Sequence, residues 1–147
     1  MKTANLLYDT SVYISYWRQL DKFPRPGWFS AVVMQELMAG AEDRKDLRQW
    51  RGMAADYKRA GKLLVPELAA WETAGLVMHR LLTLERAITG KRPAWGNDKK
   101  QSLIRDVLIA VTANQHSVTV ISDNKDFPLI QQVYEFDWRK AADFFAH

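Results

Sequence analysis

The stretch Val118-Thr119-Val120-Ile121-Ser122 is the strongest β-strand signal in this sequence, because its first four residues are all β-branched. Working outward from it, an apolar run at Asn5–Tyr8 predicts a second buried strand, and Trp28–Ala31 and Lys62–Val65 predict two further short strands. Segments with helical spacing of apolar residues separate these strands. Strands that alternate with helices are typical of an α/β sandwich, in which helices flank a mostly parallel central sheet.

The predicted helices are defined mainly by where they end. Gly40, Gly61 and Gly90 each follow a segment with helical spacing, and glycine is common just after a helix. Asp98 is a residue type that caps helix N-termini, and Asn124–Phe127 is expected to form a turn. The predicted helices are Ser11–Leu20, Val33–Ala39, Glu42–Ala60, Glu67–Thr89, Lys99–Gln115 and Arg139–Ala146.

The composition is that of one globular domain. The 147 residues are 48% hydrophobic and 26% charged, which suits a single domain over residues 1–147 with its own core. No stretch approaches the roughly 18 uncharged apolar residues of a membrane span, so we expect a cytoplasmic protein that does not bind membranes. Lysine and arginine exceed aspartate and glutamate by 21 to 17, and this net charge of +4 permits an anionic partner without requiring one.

Several classes of chemistry are excluded by what the sequence lacks. Without cysteine there is no disulfide, no cysteine-ligated zinc, no iron–sulfur cluster and no thiol nucleophile. The phosphate-binding motifs G-x-x-x-x-G-K-[ST] and G-x-G-x-x-G and the nucleophile motif G-x-S-x-G do not occur. The three histidines have no metal-ligand spacing. Any catalysis must therefore come from carboxylates.

Asp9 directly follows the first predicted strand. Aspartate is a favoured N-cap, so one interpretation is that Asp9 caps the helix Ser11–Leu20. The other is that Asp9 is a functional carboxylate, because ligands of parallel α/β folds bind at the carboxyl ends of the strands. The sequence around Asp9 is compatible with both.

Glu36 and Asp106 are carboxylates on mostly apolar helix faces. Neither has a basic residue three or four positions away on its helix. Such a surrounding destabilises a charged carboxylate unless something compensates it. An arginine such as Arg105 or Arg86 could do so, and so could a bound cation.

Polar side chains also follow the strand Val118–Ser122, in the segment 122–127, which reads Ser-Asp-Asn-Lys-Asp-Phe. A polar turn with local hydrogen bonds is one explanation. The other is that the segment adds oxygen ligands at a second strand end. Oxygen-only ligands select Mg²⁺ or Mn²⁺, and either cation suits metal-assisted hydrolysis of a phosphodiester.

Four segments, in order and over essentially the whole chain, resemble sequence blocks of the PIN-domain ribonucleases, in particular the VapC-type toxins of toxin–antitoxin systems. Residues 6–14, LLYDTSVYI, are similar to LLDTNVLI, and residues 30–40, SAVVMQELMAG, fit S-x-x-x-x-x-E-L-x-x-G. Residues 105–113, RDVLIAVTA, contain D-x-x-I-A-x-x-A, and residues 120–127, VISDNKDF, are similar to V-T-x-[DN]-x-D-F. Each segment contains one of the acidic positions already described, namely Asp9, Glu36, Asp106 or the acidic cluster of residues 123–126.

The resemblance implies a PIN-like three-layer sandwich and a metal-dependent endoribonuclease that cleaves structured RNA of the tRNA or rRNA class. It implies that Asp9, Glu36 and Asp106 coordinate Mg²⁺ or Mn²⁺. Asn124 stands where many relatives carry aspartate and is expected to supply a carbonyl oxygen to the metal. Asp126 is expected to be a further catalytic carboxylate.

Ser11 and Ser122 occupy places where the family has small polar or hydroxyl residues, and Ser11 is expected to orient the first aspartate. The resemblance also implies homodimers and a VapB-like antitoxin whose C-terminal segment lies in a groove near the site.

Basic residues cluster before and within the predicted helix Lys99–Gln115, where they flank Asp106. They are the predicted phosphate contacts for an RNA substrate, because neutralising phosphates dominates nucleic-acid affinity. Trp95 lies among them in a loop and is the residue we expect to stack on an unpaired base. The basic residues are Lys91, Arg92, Lys99, Lys100 and Arg105.

Three alternatives remain at this point. The chain could be a housekeeping PIN nuclease that processes RNA without an antitoxin. It could be a degenerate PIN module that binds RNA or protein without cleaving, since Asn124 is uncharged. A phosphatase or receiver-type domain using Asp9 as acceptor is disfavoured, because Ser11 and Leu7 occupy positions where those families have acidic residues.

Overall fold

The central sheet is made of short parallel strands. The protein is described by a computed structural model, which covers residues 5–23, 25–91 and 95–146. The strands are β1 (Leu6–Tyr8), β2 (Phe29–Ser30), β3 (Leu63–Leu64), β4 (Thr119–Ile121) and β5 (Trp138–Arg139). β4 pairs with both β1 and β5, β2 pairs with β3, and a bridge between Leu7 and Trp28 joins the two groups. The strand order is therefore β3-β2-β1-β4-β5, and all carboxyl ends share one edge.

Helices flank this sheet. They are α1 (Thr10–Ser15), α2 (Ala31–Ala39), α3 (Arg44–Arg59), α4 (Leu68–Thr89), α5 (Asn97–Gln115), α6 (Asp126–Gln131) and α7 (Ala141–Phe144). α1 is shorter than predicted, because the chain continues after Tyr16 as a 3₁₀ helix at Trp17–Lys22. The mixed α/β architecture with a mostly parallel sheet, predicted from the sequence, is confirmed.

The helix ends follow local chemistry in most cases. The Ser30 hydroxyl caps α2 by accepting hydrogen bonds from the amides of Val32 and Val33, at 3.1 and 3.2 Å. Gly90 ends α4 with a left-handed φ of 70°, which glycine adopts without strain. The prediction that Asp98 caps α5 is wrong, because Gly96 holds that position and Asp98 lies in the first turn. A carboxylate there still interacts favourably with the helix dipole.

Two elements differ from the predicted boundaries. The turn expected at Asn124–Phe127 leads directly into α6, whose first turn accommodates Pro128 because an amide at that position has no partner within the helix. The terminal helix is limited to α7, because Arg139 belongs to the edge strand β5. A two-residue strand is too short to show the alternation of apolar and polar residues that predicts a strand, so β5 is identified only by its pairing with β4.

The core is largest around α5, which contacts both β4 and α4. Leu103 and the residues from Asp106 to Ala113 are all buried in this helix. On β1, Leu7 is fully buried, and the ring of Tyr8 meets the rings of Tyr13, Phe144 and Phe145 edge-on. No helix within the described ranges has the length and apolar content that crossing a membrane requires.

Replacing Leu7 by alanine should lower the free energy of unfolding by about 2–5 kcal/mol, because the cavity would lie in the middle of the sheet. Ile14→Ala is the matched control. Because Ile14 is 69% exposed, this substitution should lower the free energy of unfolding far less. Urea denaturation of both variants measures the difference. Equal destabilisation by the two changes would contradict the assignment of β1 as the central buried strand.

Candidate active site

The site begins where β1 and β4 end side by side. Their parallel register pairs Tyr8 with Ile121, so the next residues, Asp9 and Ser122, are also neighbours. The Asp9 amide donates to the Ile121 carbonyl at 3.1 Å, and the Ser122 hydroxyl donates to Asp9 Oδ2 at 2.8 Å. Parallel pairing thus brings together two residues that are 113 positions apart in the sequence.

Asp9 occupies the N-cap position of α1, but its side chain makes no capping hydrogen bond. Oδ2 instead accepts bonds from the hydroxyls of Ser11, at 3.1 Å, and Ser122. The residue is 3% exposed, and burial raises the pKa of its carboxyl against the opposing effect of these two hydroxyls. Asp9 is therefore the N-cap residue of α1 by position, without a capping hydrogen bond from its side chain, and its carboxylate accepts from Ser11 as expected.

A loop after β4 connects Asp9 to Asp106. The Ser122 hydroxyl accepts from the Asn124 amide at 2.9 Å, and Asn124 Nδ2 donates to Asp106 Oδ2 at 2.9 Å. Asn124 Oδ1 accepts from the Asp126 amide at 3.0 Å. The amide nitrogen of the Asn124 side chain thus bonds to Asp106. Its carbonyl oxygen, the predicted metal ligand, bonds to the backbone amide of Asp126.

Asp106 is a buried acid with a strongly raised pKa. It projects from α5 and is 4% exposed. Burial, the nearby charge of Asp9, a hydrogen bond with Asp126 and the charge of Glu36 raise the pKa of its carboxyl to about 9. These causes show that carboxylates from β1, α2, α5 and α6 act on one another at close range.

Glu36 joins the cluster from α2 with partial compensation. Arg105 Nε lies 3.6 Å from Glu36 Oε2, so Arg105 is the arginine that offsets this charge. Glu36 Oε1 is buried without a hydrogen-bond partner. Burial and the charge of Asp9 raise the pKa of the Glu36 carboxyl, whereas Arg105 and the hydroxyl of Thr10 oppose the shift. Thr10 was not singled out from the sequence, although a hydroxyl directly after Asp9 was a usable signal.

Asp126 forms the fourth side of the cluster. It opens α6, is 6% exposed, and is ion-paired with Lys99 from the first turn of α5. Asp123, its neighbour in the same loop, turns elsewhere, accepting hydrogen bonds from the Tyr16 hydroxyl and the Ala142 amide. The loop therefore contributes Asn124 and Asp126 to the cluster and uses Asp123 to attach α1 and α7.

The predicted RNA contacts have different surroundings. Lys99 and Arg105 face carboxylates of the cluster, whereas Lys100 is exposed. Trp95 is half-buried and packs against the core, so its ring is only partly available for stacking. Arg92 lies outside the described residues.

The donor set suits a hard divalent cation. All the converging acids offer oxygen, burial and the neighbouring carboxylates raise the pKa of Asp106 to about 9, and Glu36 Oε1 lacks a hydrogen-bond partner. Within residues 5–23, 25–91 and 95–146, no three histidine, cysteine, aspartate or glutamate side chains form a ready metal-ligating set. The protein atoms instead satisfy one another, with Asn124 on Asp106 and Lys99 on Asp126. A cation would have to replace some of these contacts.

Comparisons with known proteins identify the fold. FitAB bound to an IR36 DNA fragment superposes with a TM-score of 0.57 at 19% identity, covering 92% of this chain and 94% of that one. VapBC2 from Rickettsia felis, bound to a DNA fragment from its promoter, gives a TM-score of 0.51 at 17% identity, covering 92% and 97%. The predicted PIN-like fold is confirmed. No family model matches the sequence, and no curated protein matches it.

In EDTA, the free energy of unfolding should fall as the pH rises from about 4 toward 9. The unfolded Asp106 carboxyl loses its proton near pH 3.9, whereas the folded one keeps it until about pH 9. Between these two pH values only the folded state keeps the proton on Asp106. The stabilisation that this proton gives the folded state is complete at low pH and is lost as the pH rises through the pKa of the folded Asp106 carboxyl. Urea denaturation at several pH values measures the slope.

Asp106→Asn should flatten that slope, although the raised pKa values of Asp9 and Glu36 leave part of it. Asp137→Asn, at an exposed position, should retain the full slope. An unchanged slope in Asp106→Asn would contradict the proposed proton on Asp106.

Proposed function

We propose that this protein is a divalent-metal-dependent endoribonuclease and the toxin component of a VapBC-type toxin–antitoxin system. The observation that carries the proposal is the convergence of Asp9, Glu36, Asp106 and Asp126 at one edge of a PIN-like sheet. Burial and the three neighbouring carboxylates raise the pKa of Asp106 to about 9, and a bound cation would relieve this concentration of negative charge. The substrate class, structured RNA such as tRNA or rRNA, comes from the family resemblance.

Asp9, Asp106 and Glu36 are the residues that would hold Mg²⁺ or Mn²⁺. When bound, such a cation supplies a hydroxide nucleophile at neutral pH and stabilises charge on the phosphate. Ser11 and Ser122 fix the orientation of the Asp9 carboxylate, since both hydroxyls donate to the same oxygen. Asn124 fixes Asp106 in the same way, so we assign it a positioning role alongside its predicted role as a metal ligand.

Asp126 is the acid best placed to exchange protons. It lies at the start of α6, and its backbone amide is linked to Asp106 through the side chain of Asn124. We propose that Asp126 accepts a proton during hydrolysis. Lys100 and Trp95 are proposed to contact RNA phosphates and bases beside the acids, and Arg105 to contact phosphate when it leaves Glu36.

An antitoxin partner is part of the proposal. The two solved structures reported above are of FitAB and VapBC2, assemblies of the kind that the family resemblance implies. An apolar groove of about 750 Å³ passes Arg105 and is walled by α2, α4 and α5, with Met34, Met38 and Trp71 among its lining. We propose that an apolar segment of the antitoxin occupies this groove. Homodimer formation remains a prediction from the family resemblance.

A non-cleaving module is the second candidate, and specific contacts favour it. Asn124 replaces a carboxylate, and Lys99 neutralises Asp126, so the site has less negative charge than four free acids would give. Measured cleavage distinguishes the two functions. A housekeeping nuclease without antitoxin is distinguished by the partner experiment below.

The purified protein should cleave structured RNA in Mg²⁺ or Mn²⁺, and EDTA should abolish cleavage. Asp9→Asn and Asp106→Asn should each lower the rate by about 100-fold or more, the scale on which loss of one transition-state stabiliser acts. Gel analysis of tRNA and rRNA fragments gives the rates, and circular dichroism checks that both variants fold. Asp137→Asn is the control with normal cleavage. Normal cleavage by Asp106→Asn would show that the roles are wrongly assigned.

Expression of the chain alone should arrest growth, and coexpression with the small gene next to its own should restore it. Met38→Glu should weaken that rescue, because a charge in the apolar groove opposes an apolar segment. Growth curves and copurification of the two products measure the effect. Arrest that the neighbouring gene never relieves would favour the housekeeping nuclease.

A further inference from the structure

Lys99 is a positive charge of the protein's own at the proposed metal site. Its ammonium forms an ion pair with Asp126, whose side chain is only 9% exposed. Asn124 joins Asp126 to Asp106, because its Oδ1 accepts from the Asp126 amide at 3.0 Å and its Nδ2 donates to Asp106 Oδ2 at 2.9 Å. Lys99 is thus one carboxylate away from the centre of the negative charge.

The position of Lys99 in the fold allows it to move. It lies in the first turn of α5, and its side chain is 46% exposed. Its neighbours Asn97, Asp98 and Lys100 are also exposed, so this turn of the helix lies at the surface. A lysine carries a compact charge on a flexible stem of four carbons, which makes it able to exchange partners.

Arg105, the other cation beside the acids, is in a different situation. It is anchored in the middle of α5, and its Nε lies 3.6 Å from Glu36 Oε2, beyond ordinary hydrogen-bond distance. Lys99 makes the closer contact and is held only at a helix end. Of the two, Lys99 is therefore the group whose removal would change the charge of the cluster with least change in structure.

We propose that Lys99 is a tethered counter-ion that competes with the divalent cation and lowers the affinity of the site for it. Lys99 neutralises Asp126 in the metal-free protein, and it leaves Asp126 when a divalent cation binds. This inference rests on the proposed function, because it takes the carboxylate cluster as the metal site. It assigns Lys99 to control of metal affinity, in place of the RNA contact predicted from the sequence.

Isothermal titration of the full chain with Mn²⁺ tests the inference without measuring cleavage. Lys99→Gln should bind Mn²⁺ about tenfold more tightly than the original protein, since a unit charge a few ångströms from a divalent cation opposes its binding appreciably even in water. Lys99→Arg keeps the charge and should retain the original affinity. Lys125→Gln removes the same charge from an exposed lysine directly before Asp126 and should change affinity much less.

Thermal unfolding gives an independent measurement. In EDTA, Lys99→Gln should melt below the original protein, because Asp126 loses its partner, and Mn²⁺ should raise its melting temperature more than that of the original protein. Lys99→Arg, with its charge retained, provides a folded comparison if the glutamine variant proves too unstable to titrate. In that case, tighter Mn²⁺ binding by Lys99→Arg than by the original protein would overturn the inference.

The outcomes separate this inference from the proposed function. Tighter binding by Lys99→Gln supports it, and so does binding that appears only in that variant. Equal or weaker binding by Lys99→Gln, with the original protein binding Mn²⁺ through Asp9, overturns the inference and leaves the nuclease proposal standing. Absence of Mn²⁺ binding in every variant overturns both.

Discussion

The parallel pairing of β1 with β4 is the constraint on which the site depends. Its register pairs Tyr8 with Ile121 and therefore sets Asp9 beside Ser122. A shift by one residue would turn every side chain of the strand to the opposite face, since successive residues alternate. Full burial of Leu7 and Ile121 makes such a shift costly. Core packing and site geometry are thus fixed by the same contacts.

The charge of the site is managed by the surrounding protein. Buried carboxylates repel one another and lose hydration, which destabilises the folded chain unless other groups offset the charge. Here hydroxyls bond to Asp9, an amide bonds to Asp106, and Arg105 and Lys99 lie beside Glu36 and Asp126. These contacts do not fully offset the cost of burying the carboxylates, and the pKa of the Asp106 carboxyl is therefore raised.

Asn124 and Lys99 alter this balance in the same direction. Asn124 contributes no charge to the cluster, and Lys99 cancels the charge of Asp126. Together they give the proposed metal site less negative charge than four unpaired carboxylates would. A nuclease with such a site would respond to the concentration of free Mg²⁺ or Mn²⁺, and its activity would be coupled to the movement of one surface lysine.

Much of the fold could be predicted because the signals are local. The β-branched run at Val118–Ser122, the helix that Ser30 caps and the helix that ends at Gly90 are each determined by residues a few positions apart. The strand β5 was not predicted, because a two-residue edge strand forms only where β4 is present to pair with it. The helix α6 was not predicted, because the polar residues at its start favour a turn. The misplaced cap at Asp98 has a similar cause, since a favourable residue type does not fix the residue at which a helix starts.

The candidate site shows the same division between local signals in the sequence and contacts that form only on folding. The sequence by itself was enough to single out the carboxylates of the candidate site, since Asp9, Glu36 and Asp106 stand out by position and by the apolar residues around them. Only the tertiary structure decided what each one touches. It gave Asp9 two hydroxyls in place of a capping bond, directed Asn124 to Asp106, and turned Lys99 toward Asp126. Residue type and local pattern are properties of the sequence, whereas the partner of a side chain depends on residues that only folding brings near.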